Sequence, residues 1–191
     1  TLHPGKLVFG QKNLGFVGML LSEDGIKSDP EKIRAIAEFP APTNLTQLRS
    51  FLGMIGALPT LSSQITTLIS PLRELRKTKN EFIWQPEHSE TFEALKCHIV
   101  NSDTTLTFFD PSRATRLETD ASRLHGLGFV LRQLHDSHWK IVQCGSRFLS
   151  DTESRYSVIE LELLALTWAT RKLHVYLFGL DNYEVFLDHA P

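Results

Sequence analysis

The sequence predicts an α+β fold, in which a mostly helical segment precedes a mixed sheet interrupted by one crossover helix. Helix-capping residues and apolar residues at helical spacing recur between about residues 28 and 100. From about residue 105, short apolar runs separated by turns take their place, and a long helical pattern separates the first three runs from a last one. Hairpins joined to a helical crossover give a sheet with both antiparallel and parallel neighbours.

The N-terminal residues predict a β-hairpin followed by a helix. Residues 6–10 and 14–26 contain short apolar runs separated by glycine turns, which is typical of hairpin strands. Asp29 is the expected N-cap of the helix, and Pro30 fits its first position because the nitrogen there needs no hydrogen-bond partner. We expect this helix to end before Pro40.

Three further helices are predicted before residue 100. Asn44 and Gln47 have the spacing of a capping box at the start of the first of them. The three predicted segments are 43–56, 65–77 and 87–100. The apolar stripes that a packed helix needs are formed by Leu45, Leu48, Phe51, Leu52 and Ile55 in the first and by Phe92, Leu95 and Ile99 in the last.

The second half of the chain predicts an antiparallel meander, a helix and a further strand. The three strand-like runs are 115–122, 126–134 and 140–149. The polar residues 135–138 provide the turn between the second and third runs. The pattern then predicts one long helix over 153–178 and a last strand within 182–191.

Composition and charge exclude several classes of protein. The 191 residues carry a net charge of −2 at pH 7, which is not the basic balance of a free-standing nucleic-acid binder. No apolar run approaches the ~20 residues of a membrane-spanning helix, so no membrane partner is expected. Two cysteines without metal-binding spacing argue against a zinc site or a disulfide scaffold and favour a reducing environment.

One local basic stretch lies near the end of the helix predicted over 65–77. It contains Arg73, Arg76, Lys77 and Lys79. Two interpretations fit it equally well: a solvated helix end, or a surface that contacts the phosphates of a nucleic acid.

Three carboxylates occupy positions where a buried apolar residue is expected. Asp120 lies in the first strand of the meander, and Asp188 ends the last strand, where it shares a face with Phe186. Glu162 has apolar residues three and four positions away on both sides, so its side chain should face the sheet. Glu160 is expected at the solvent-exposed edge of the same helix. If Phe186 packs towards the helix, Asp188 does so as well.

These three carboxylates can meet, because a crossover helix returns the chain close to the strand that it left. Three buried anions repel one another unless a cation is present, and oxygen ligands suit Mg²⁺ or Mn²⁺. Two such ions are a common device for phosphodiester hydrolysis. Each acid alone has an ordinary alternative, since an Asp at a strand end is often a cap and a helical Glu often forms a surface salt bridge.

Eight segments occur in the order known from one protein family. They are FVGMLLSEDGIKSDPEKIRAI, PAPTNLTQLRSFLGM, PLRELRK, FIWQPEHSETFEALK, FFDPSRATRLETDAS, SRFLSDTESRYSVIELELLAL, YLFGL and LDHAP. Through them the chain, from about residue 6 to residue 191, resembles the Pol polyprotein of gypsy-type LTR retrotransposons. The matching portion runs from the end of the reverse transcriptase palm through the thumb and connection into ribonuclease H.

The resemblance implies a domain order, a fold and an activity. The implied domains are a palm-edge hairpin at 1–28, a thumb at 29–79, a connection at 80–110 and a ribonuclease H-like domain, incomplete at its C-terminus, at 111–191. The implied fold of the last is a five-stranded mixed sheet flanked by helices. Its implied activity is hydrolysis of RNA in RNA–DNA hybrids by two Mg²⁺ (or Mn²⁺) ions, with Asp120, Glu162 and Asp188 as the catalytic, metal-binding carboxylates.

The resemblance also implies partners and a location. The expected partners are an RNA–DNA hybrid, contacted mainly through its backbone, and other segments of the parent polyprotein. The expected location is intracellular, in the cytoplasm or nucleus, or in virus-like particles if the element is active.

The sequence departs from the family pattern in ways that leave a second function open. The family's fourth carboxylate and final helix are expected beyond Pro191, and its polymerase motif Tyr-x-Asp-Asp upstream of Thr1. The chain alone is therefore not expected to polymerise DNA and should cleave RNA weakly or not at all. GALPTL at 56–61 replaces an aromatic and arginine-rich run, and Leu187 and Ala190 replace Thr and Lys. The alternative is a domesticated, non-catalytic module that binds nucleic acid or protein.

Overall fold

A computed structural model of the protein describes residues 9–59, 63–77, 82–102, 104–124 and 126–187, without the side chains at 63, 64, 66, 67, 76 and 77. Within these ranges the fold is α+β, as predicted: three short strands and four helices precede a mixed four-stranded sheet with a crossover helix. The resemblance implied five strands for this sheet. No helix in the described ranges is both long and apolar enough to cross a bilayer.

The N-terminal strands form a three-stranded meander where the sequence predicted a hairpin. The strands are β1 (Leu14–Phe16), β2 (Met19–Ser22) and β3 (Gly25–Ser28), with antiparallel neighbours in that order. The run 14–26 contains two tight turns, because Val17 and Gly18 both adopt positive φ and a second turn at Glu23 and Asp24 leads into β3. The strand predicted at 6–10 lies mostly outside the described residues.

Gly25 fixes the meander against the chain that leads into the second sheet. Ile26 and Leu106 exchange two backbone hydrogen bonds of 2.7 and 2.9 Å. Gly25 has a φ of +132°, and a Cβ at this position would lie 2.1 Å from the Leu106 carbonyl oxygen. Only glycine accommodates both the backbone angle and the close approach.

The helices of the first half begin at the caps that the sequence predicts. They are α1 (Pro30–Ala37), α2 (Leu45–Gly56), α3 (Ser63–Lys77) and α4 (Pro86–Val100). The Asp29 carboxylate accepts a hydrogen bond from the Glu31 N–H, and the Asn44 side chain accepts one from the Gln47 N–H, both 2.9 Å long. The Gln47 side chain accepts from Thr43 N–H at 2.8 Å, one residue earlier than a capping box requires.

The four helices, called here the helical region, share one apolar core. Phe51 is fully buried at its centre, with ring centroids 5.4 Å from Phe39 and 4.5 Å from Phe92. The buried residues around it are Ile36, Leu48, Ile55, Leu58, Ile65, Ile69, Leu72, Phe92, Leu95 and Ile99. The stripes predicted for α2 and α4 therefore face this core, although Leu52 is only partly buried.

The second sheet has the predicted meander and the predicted crossover. Its strands are β4 (Thr115–Ser122), β5 (Gly126–His135), β6 (His138–Arg147) and β7 (Glu184–Leu187), in the spatial order β6-β5-β4-β7. β4, β5 and β6 pair antiparallel, whereas β7 pairs parallel to β4. Asp136 and Ser137, with φ of 47° and 69°, form the two-residue turn between β5 and β6, and positive φ at both positions is what a type I′ turn requires.

The helix predicted over 153–178 is divided into three pieces, so that prediction was wrong in its extent. A 3₁₀ turn at Glu153–Arg155 precedes α5 (Val158–Lys172) and α6 (His174–Leu177). Ser157 has extended backbone and caps α5: Glu160 accepts a hydrogen bond from the Ser157 N–H at 2.7 Å, and the Ser157 hydroxyl accepts from the Glu160 N–H. This capping box starts a new helix where apolar periodicity alone suggested continuity.

The helices α5 and α6 cover one face of the second sheet. The strands β4 to β7 together with these two helices are called here the sheet unit. Leu117 of β4 packs in one cluster with Phe129 and Leu131 of β5, Val142 of β6 and the helical residues Ala169, Leu173 and Leu177. The Trp168 ring lies 5.1 Å from the Phe129 ring. The odd-numbered residues of β4 therefore point towards α5.

Candidate active site

Asp120 lies near the end of β4, on the face of the sheet opposite α5. Thr115, Leu117 and Thr119 are buried on the α5 side. Because side chains alternate along a strand, Asp120 shares the other face with Glu118. Its carboxylate is exposed, and Gly128 lies across from it in the register, so no side chain covers it from β5.

Glu162 lies in the second turn of α5 and is only 6% exposed. Its burial agrees with the prediction that it faces the sheet. The apolar stripe is buried only on its C-terminal side: Ala165 is fully buried, whereas Val158 is 45% exposed and Ile159 is 71% exposed. Glu160 is exposed, as predicted, and hydrogen bonds from the backbone and hydroxyl of Ser157 hold the pKa of its carboxyl below the usual value.

The topology brings Asp120 and the start of α5 to the same edge of the sheet. β6 ends at Arg147, which pairs with Leu127, and Leu127 pairs with Ala121, directly after Asp120. The connection to α5 therefore leaves from this edge. α5 then runs back towards the opposite edge, where β7 begins with Glu184 beside Arg116. Glu162, near the start of α5, thus belongs to the edge at which Asp120 lies.

The third predicted carboxylate, Asp188, lies outside the described residues. β7 is described as far as Leu187, which pairs with Thr119, the residue before Asp120. No group of three or more His, Cys, Asp or Glu side chains that could hold a metal ion occurs among the residues that the structure describes. Two of the three predicted carboxylates are therefore placed at one edge, and a complete metal site stays a prediction.

Phe186 packs on the face away from α5. It therefore does not pack towards the helix, which was the premise for expecting Asp188 on that side. The Arg116 guanidinium lies 4.2 Å from the Phe186 ring centroid and 4.2 Å from that of Trp139. Arg116 is on the Asp120 face of β4, and parallel pairing puts Phe186 beside Glu118 on that face. Within the described part of β7, Phe186 therefore lies on the Asp120 side of the sheet.

Of the four basic side chains in this stretch, the structure describes that of Arg73. The Arg73 guanidinium lies 3.1 Å from the ring centroid of Phe148, the first residue after β6. The side chains of Arg76 and Lys77, and all of Lys79, lie outside the described residues. Arg73 therefore contributes to the contact between the helical region and the sheet unit, and a nucleic-acid contact by this stretch stays a prediction.

An ion pair that the sequence analysis did not single out shapes the connection before α5. Arg147 donates two hydrogen bonds of 2.8 Å to the two carboxylate oxygens of Glu153, and Ser150 N–H donates a third at 2.8 Å. The hydrogen bonds from Arg147, followed by that from the Ser150 backbone, lower the pKa of Glu153 to about 2. The ion pair between Arg147 and Glu153 therefore joins the two ends of the connection that carries Phe148. An arginine and a glutamate six residues apart form no sequence pattern that would have predicted this ion pair.

Comparison with known proteins places the second half of the chain in a family. Residues 84–185, more than half of the chain, match the family model described as the RNase H-like domain found in reverse transcriptase. This match includes α4 as well as the sheet unit.

The similar curated proteins are retroelement polyproteins. The chain is 32% identical over 197 residues to the retrovirus-related Pol polyprotein from transposon gypsy and 36% identical over 191 residues to that from transposon 297, both of Drosophila melanogaster. It is 31% identical to the transposon Tf2-3 polyprotein of Schizosaccharomyces pombe. These matches cover 97%, 100% and 98% of the chain but only 19%, 17% and 14% of the relatives, so the chain spans less than a fifth of their length.

Solved structures with the same fold come from a foamy virus. The foamy viral protease-reverse transcriptase in complex with an RNA/DNA hybrid superposes with a TM-score of 0.76 at 20% identity. The same protein in complex with dsDNA gives a TM-score of 0.71 at 20% identity. Each match covers 95% of this chain and 24% or 37% of the other, so the shared fold includes the helical region and the sheet unit.

Proposed function

Because the chain belongs to the family of RNase H-like domains found in reverse transcriptases, we propose that it is part of a retroelement enzyme that hydrolyses RNA in RNA–DNA hybrids. The observation that supports the proposal is that Asp120, the start of α5 with Glu162, and the described end of β7 all lie at one edge of the sheet. Asp188 follows the last described residue of β7 directly in the sequence.

The chemistry of these side chains fits divalent cations. Carboxylate oxygens are the ligands that Mg²⁺ and Mn²⁺ prefer. Asp120 presents an exposed carboxylate beside Gly128, which has no side chain to cover it. Asp120, Glu162 and Asp188 would hold the ions. When bound, such ions activate water and stabilise the charge that develops on the leaving oxygen.

The chain's own residues supply rigidity and orientation. The capping box of Ser157 and Glu160 fixes where α5 begins and therefore the height of Glu162 above the sheet. Pairing of β4 with strands on both sides holds Asp120 in one register. A carboxylate held by a strand or a helix keeps its geometry better than one on a loop.

The structural neighbours support a hybrid duplex as the substrate class. They are structures of the foamy viral protease-reverse transcriptase in complex with an RNA/DNA hybrid and with dsDNA. A hybrid presents two phosphate backbones and few readable base edges, so we expect contacts to phosphates and sugars and little dependence on base sequence.

The test measures cleavage of a hybrid whose RNA strand is end-labelled, with the chain and with the longer natural reading frame that contains it. We expect the longer protein to cleave in Mg²⁺ or Mn²⁺ and to stop when the metal is chelated. Asp120→Asn and Glu162→Gln should each lower the rate by at least ~100-fold, because each removes one charge from the site while keeping the side-chain size.

Neighbouring carboxylates provide matched controls. Glu118→Gln changes an acid two residues before Asp120 that is ion-paired to Arg132 at 3.1 Å. Glu160→Gln removes the charge of the capping residue of α5 but keeps a side chain that can still form the capping box. Both should retain most of the activity. Equal loss in all four variants would indicate misfolding rather than a site. Tight hybrid binding without any cleavage by the longer protein would replace the proposal by the non-catalytic binding module.

A further inference from the structure

Arg116 of β4 lies between two aromatic rings, on the face of the sheet that carries Asp120. Its guanidinium carbon is 4.2 Å from the ring centroid of Trp139 in β6 and 4.2 Å from that of Phe186 in β7. These three side chains are called here the Arg116 stack. Because β6 and β7 are the outer strands of the order β6-β5-β4-β7, the stack crosses the whole described width of the sheet.

The rings, more than hydrogen bonds, hold the guanidinium of Arg116. Its Nε is buried and has no hydrogen-bond partner among the described residues. One terminal nitrogen, Nη2, donates to the Glu184 carboxylate at 3.4 Å, across the pairing of β4 with β7. A cation that is shielded from water is attracted to aromatic faces more strongly than an exposed one, and a planar guanidinium fits between two rings. The compact ammonium of a lysine would not replace it.

The strand β7 depends on such a contact because its own burial is small. It has four residues, and β4 is its one neighbour among the described strands. Val185, Phe186 and Leu187 are between 41% and 46% exposed, so apolar burial stabilises the strand only weakly. Arg116 contacts β7 twice, through the Glu184 carboxylate and through the Phe186 ring. The Arg116 stack thus joins this strand to both β4 and β6.

The Arg116 stack lies too far from Asp120 to contact the reacting atoms. Arg116 is four residues before Asp120 within the same strand, which is about 13 Å at the ~3.3 Å rise of each strand residue. Leu187, the last described residue of β7, pairs with Thr119, directly before Asp120. Asp188 follows Leu187 in the sequence. Any effect of the stack on the candidate site must therefore act through the register and rigidity of β7.

We propose that Arg116 is a positioning residue for the candidate active site. Its stack with Trp139 and Phe186 fixes the end of β7 beside β4, so that Asp188 can share a divalent cation with Asp120. This inference rests on the proposed function, because it takes metal-dependent hydrolysis as the reaction that β7 serves.

The first measurement is amide hydrogen exchange of the 191-residue chain without metal. Arg116→Met removes the charge and the guanidinium plane but keeps an unbranched apolar side chain. We expect the amides of β7 to exchange about tenfold faster or more, because loss of the stack makes local opening of an edge strand easier. The amides of β5 should exchange within about twofold of the wild-type rate, because β5 is paired on both sides.

Arg132→Met is the matched control for Arg116→Met. Arg132 lies beside Arg116 in the register and is ion-paired to Glu118 at 3.1 Å. Its replacement removes the same charge and one carboxylate contact but leaves the Arg116 stack intact, so the exchange of β7 should not change. Phe186→Tyr keeps a ring in the stack and should behave as the wild type, whereas Phe186→Leu should resemble Arg116→Met.

The second measurement is hybrid cleavage by the longer natural reading frame across a series of Mn²⁺ concentrations. Arg116→Met should raise the Mn²⁺ concentration for half-maximal cleavage about tenfold, with kcat at saturating Mn²⁺ and KM for the hybrid within about twofold of wild type. A variant that only lowers the folded fraction slows cleavage by one factor at every Mn²⁺ concentration. The half-saturating concentration therefore separates positioning from misfolding, and Arg132→Met should leave it unchanged.

The proposed function and the role of Arg116 fail in distinguishable ways. A longer wild-type protein that never cleaves the hybrid contradicts the hydrolysis, and the positioning role falls with it. Cleavage with the same Mn²⁺ dependence in Arg116→Met and wild type supports the hydrolysis and overturns the positioning role. Unchanged exchange of β7 in Arg116→Met overturns that role as well. Equal effects of Arg116→Met and Arg132→Met would also overturn it, because loss of one charge would explain both.

Discussion

The two halves of the chain fill their interiors differently. Among the described residues, the buried positions of the helical region are apolar apart from His88. The sheet unit buries Thr115, Thr119, Gln133 and Glu162 among its apolar residues. A buried polar group costs free energy unless its hydrogen bonds are satisfied, so it is retained where geometry or function needs it. The helical region therefore gains stability from packing, and the sheet unit depends also on polar contacts and charge.

The two halves meet at Phe148. This residue belongs to the connection after β6, yet it packs against the core of the helical region, under the guanidinium of Arg73. The Arg147–Glu153 ion pair closes the same connection. Changes in either half should consequently reach the other through this connection, and variants in each half can separate the contribution of packing from that of polar contacts.

The largest expected effect is the loss of packing at the centre of the helical region. Phe51→Ala removes a fully buried ring that contacts Phe39 and Phe92. We expect the free energy of unfolding, measured by urea titration with circular dichroism, to fall by ~3–5 kcal/mol. The control Phe108→Ala removes a ring that is 48% exposed and should cost far less. Similar losses at both positions would show that the core is not well packed at Phe51.

A smaller loss is expected from the polar interior of the sheet unit. The Gln133 side chain accepts a hydrogen bond from Asp110 N–H at 3.0 Å and donates to the Asp110 carbonyl at 2.8 Å and the Thr115 hydroxyl at 2.9 Å. Gln133→Leu keeps the volume but leaves these partners unsatisfied. We expect the free energy of unfolding to fall by ~1–3 kcal/mol in the same titration.

Gln143→Leu is the matched control for Gln133→Leu, because Gln143 is a half-buried glutamine of the neighbouring strand β6. It should change the free energy of unfolding by less than ~0.5 kcal/mol. If Gln133→Leu were neutral or stabilising, apolar packing would govern the sheet unit as it governs the helical region, and the contrast between the halves would disappear.

Local signals in the sequence were sufficient to predict the order of the helices and strands and most of their ends. The N-caps Asp29 and Asn44, the stripes around Phe51 and Phe92 and the alternation in β4 each depend on residues close together in the chain. The break of the long helix at Ser157 was not predicted, because a capping box can occur within a segment whose apolar residues keep helical spacing. The third N-terminal strand was missed because a single apolar run contained two turns.

The candidate site was predictable only in part, for a physical reason. The burial of Glu162 follows from the residues on its own helix, and the sequence anticipated it. The face of Phe186 depends on Arg116 and Trp139, which come from other strands, so no pattern within β7 specifies it. Contacts between distant segments become visible only when the register of the sheet is known.

The smallest expected effect concerns the ion pair at the connection between the halves. Glu153 is 19% exposed, and its paired arginine lowers its pKa from 4.5 to about 2. A carboxyl whose pKa is lower in the folded protein adds stability above its unfolded pKa and loses it as the pH falls towards the folded pKa. We expect Glu153→Gln to lower the free energy of unfolding by ~1–2 kcal/mol at pH 7, after allowance for solvent screening.

The pH dependence separates this charge effect from a loss of packing. The difference between wild type and Glu153→Gln should be constant above about pH 5 and shrink to less than half by about pH 3, because the wild-type carboxylate is then protonated in the unfolded chain. Glu90→Gln, at an exposed glutamate of α4, should differ little from wild type at any pH. A Glu153→Gln deficit that persists undiminished at pH 3 would mean that shape, and not charge, holds the connection against the helical region.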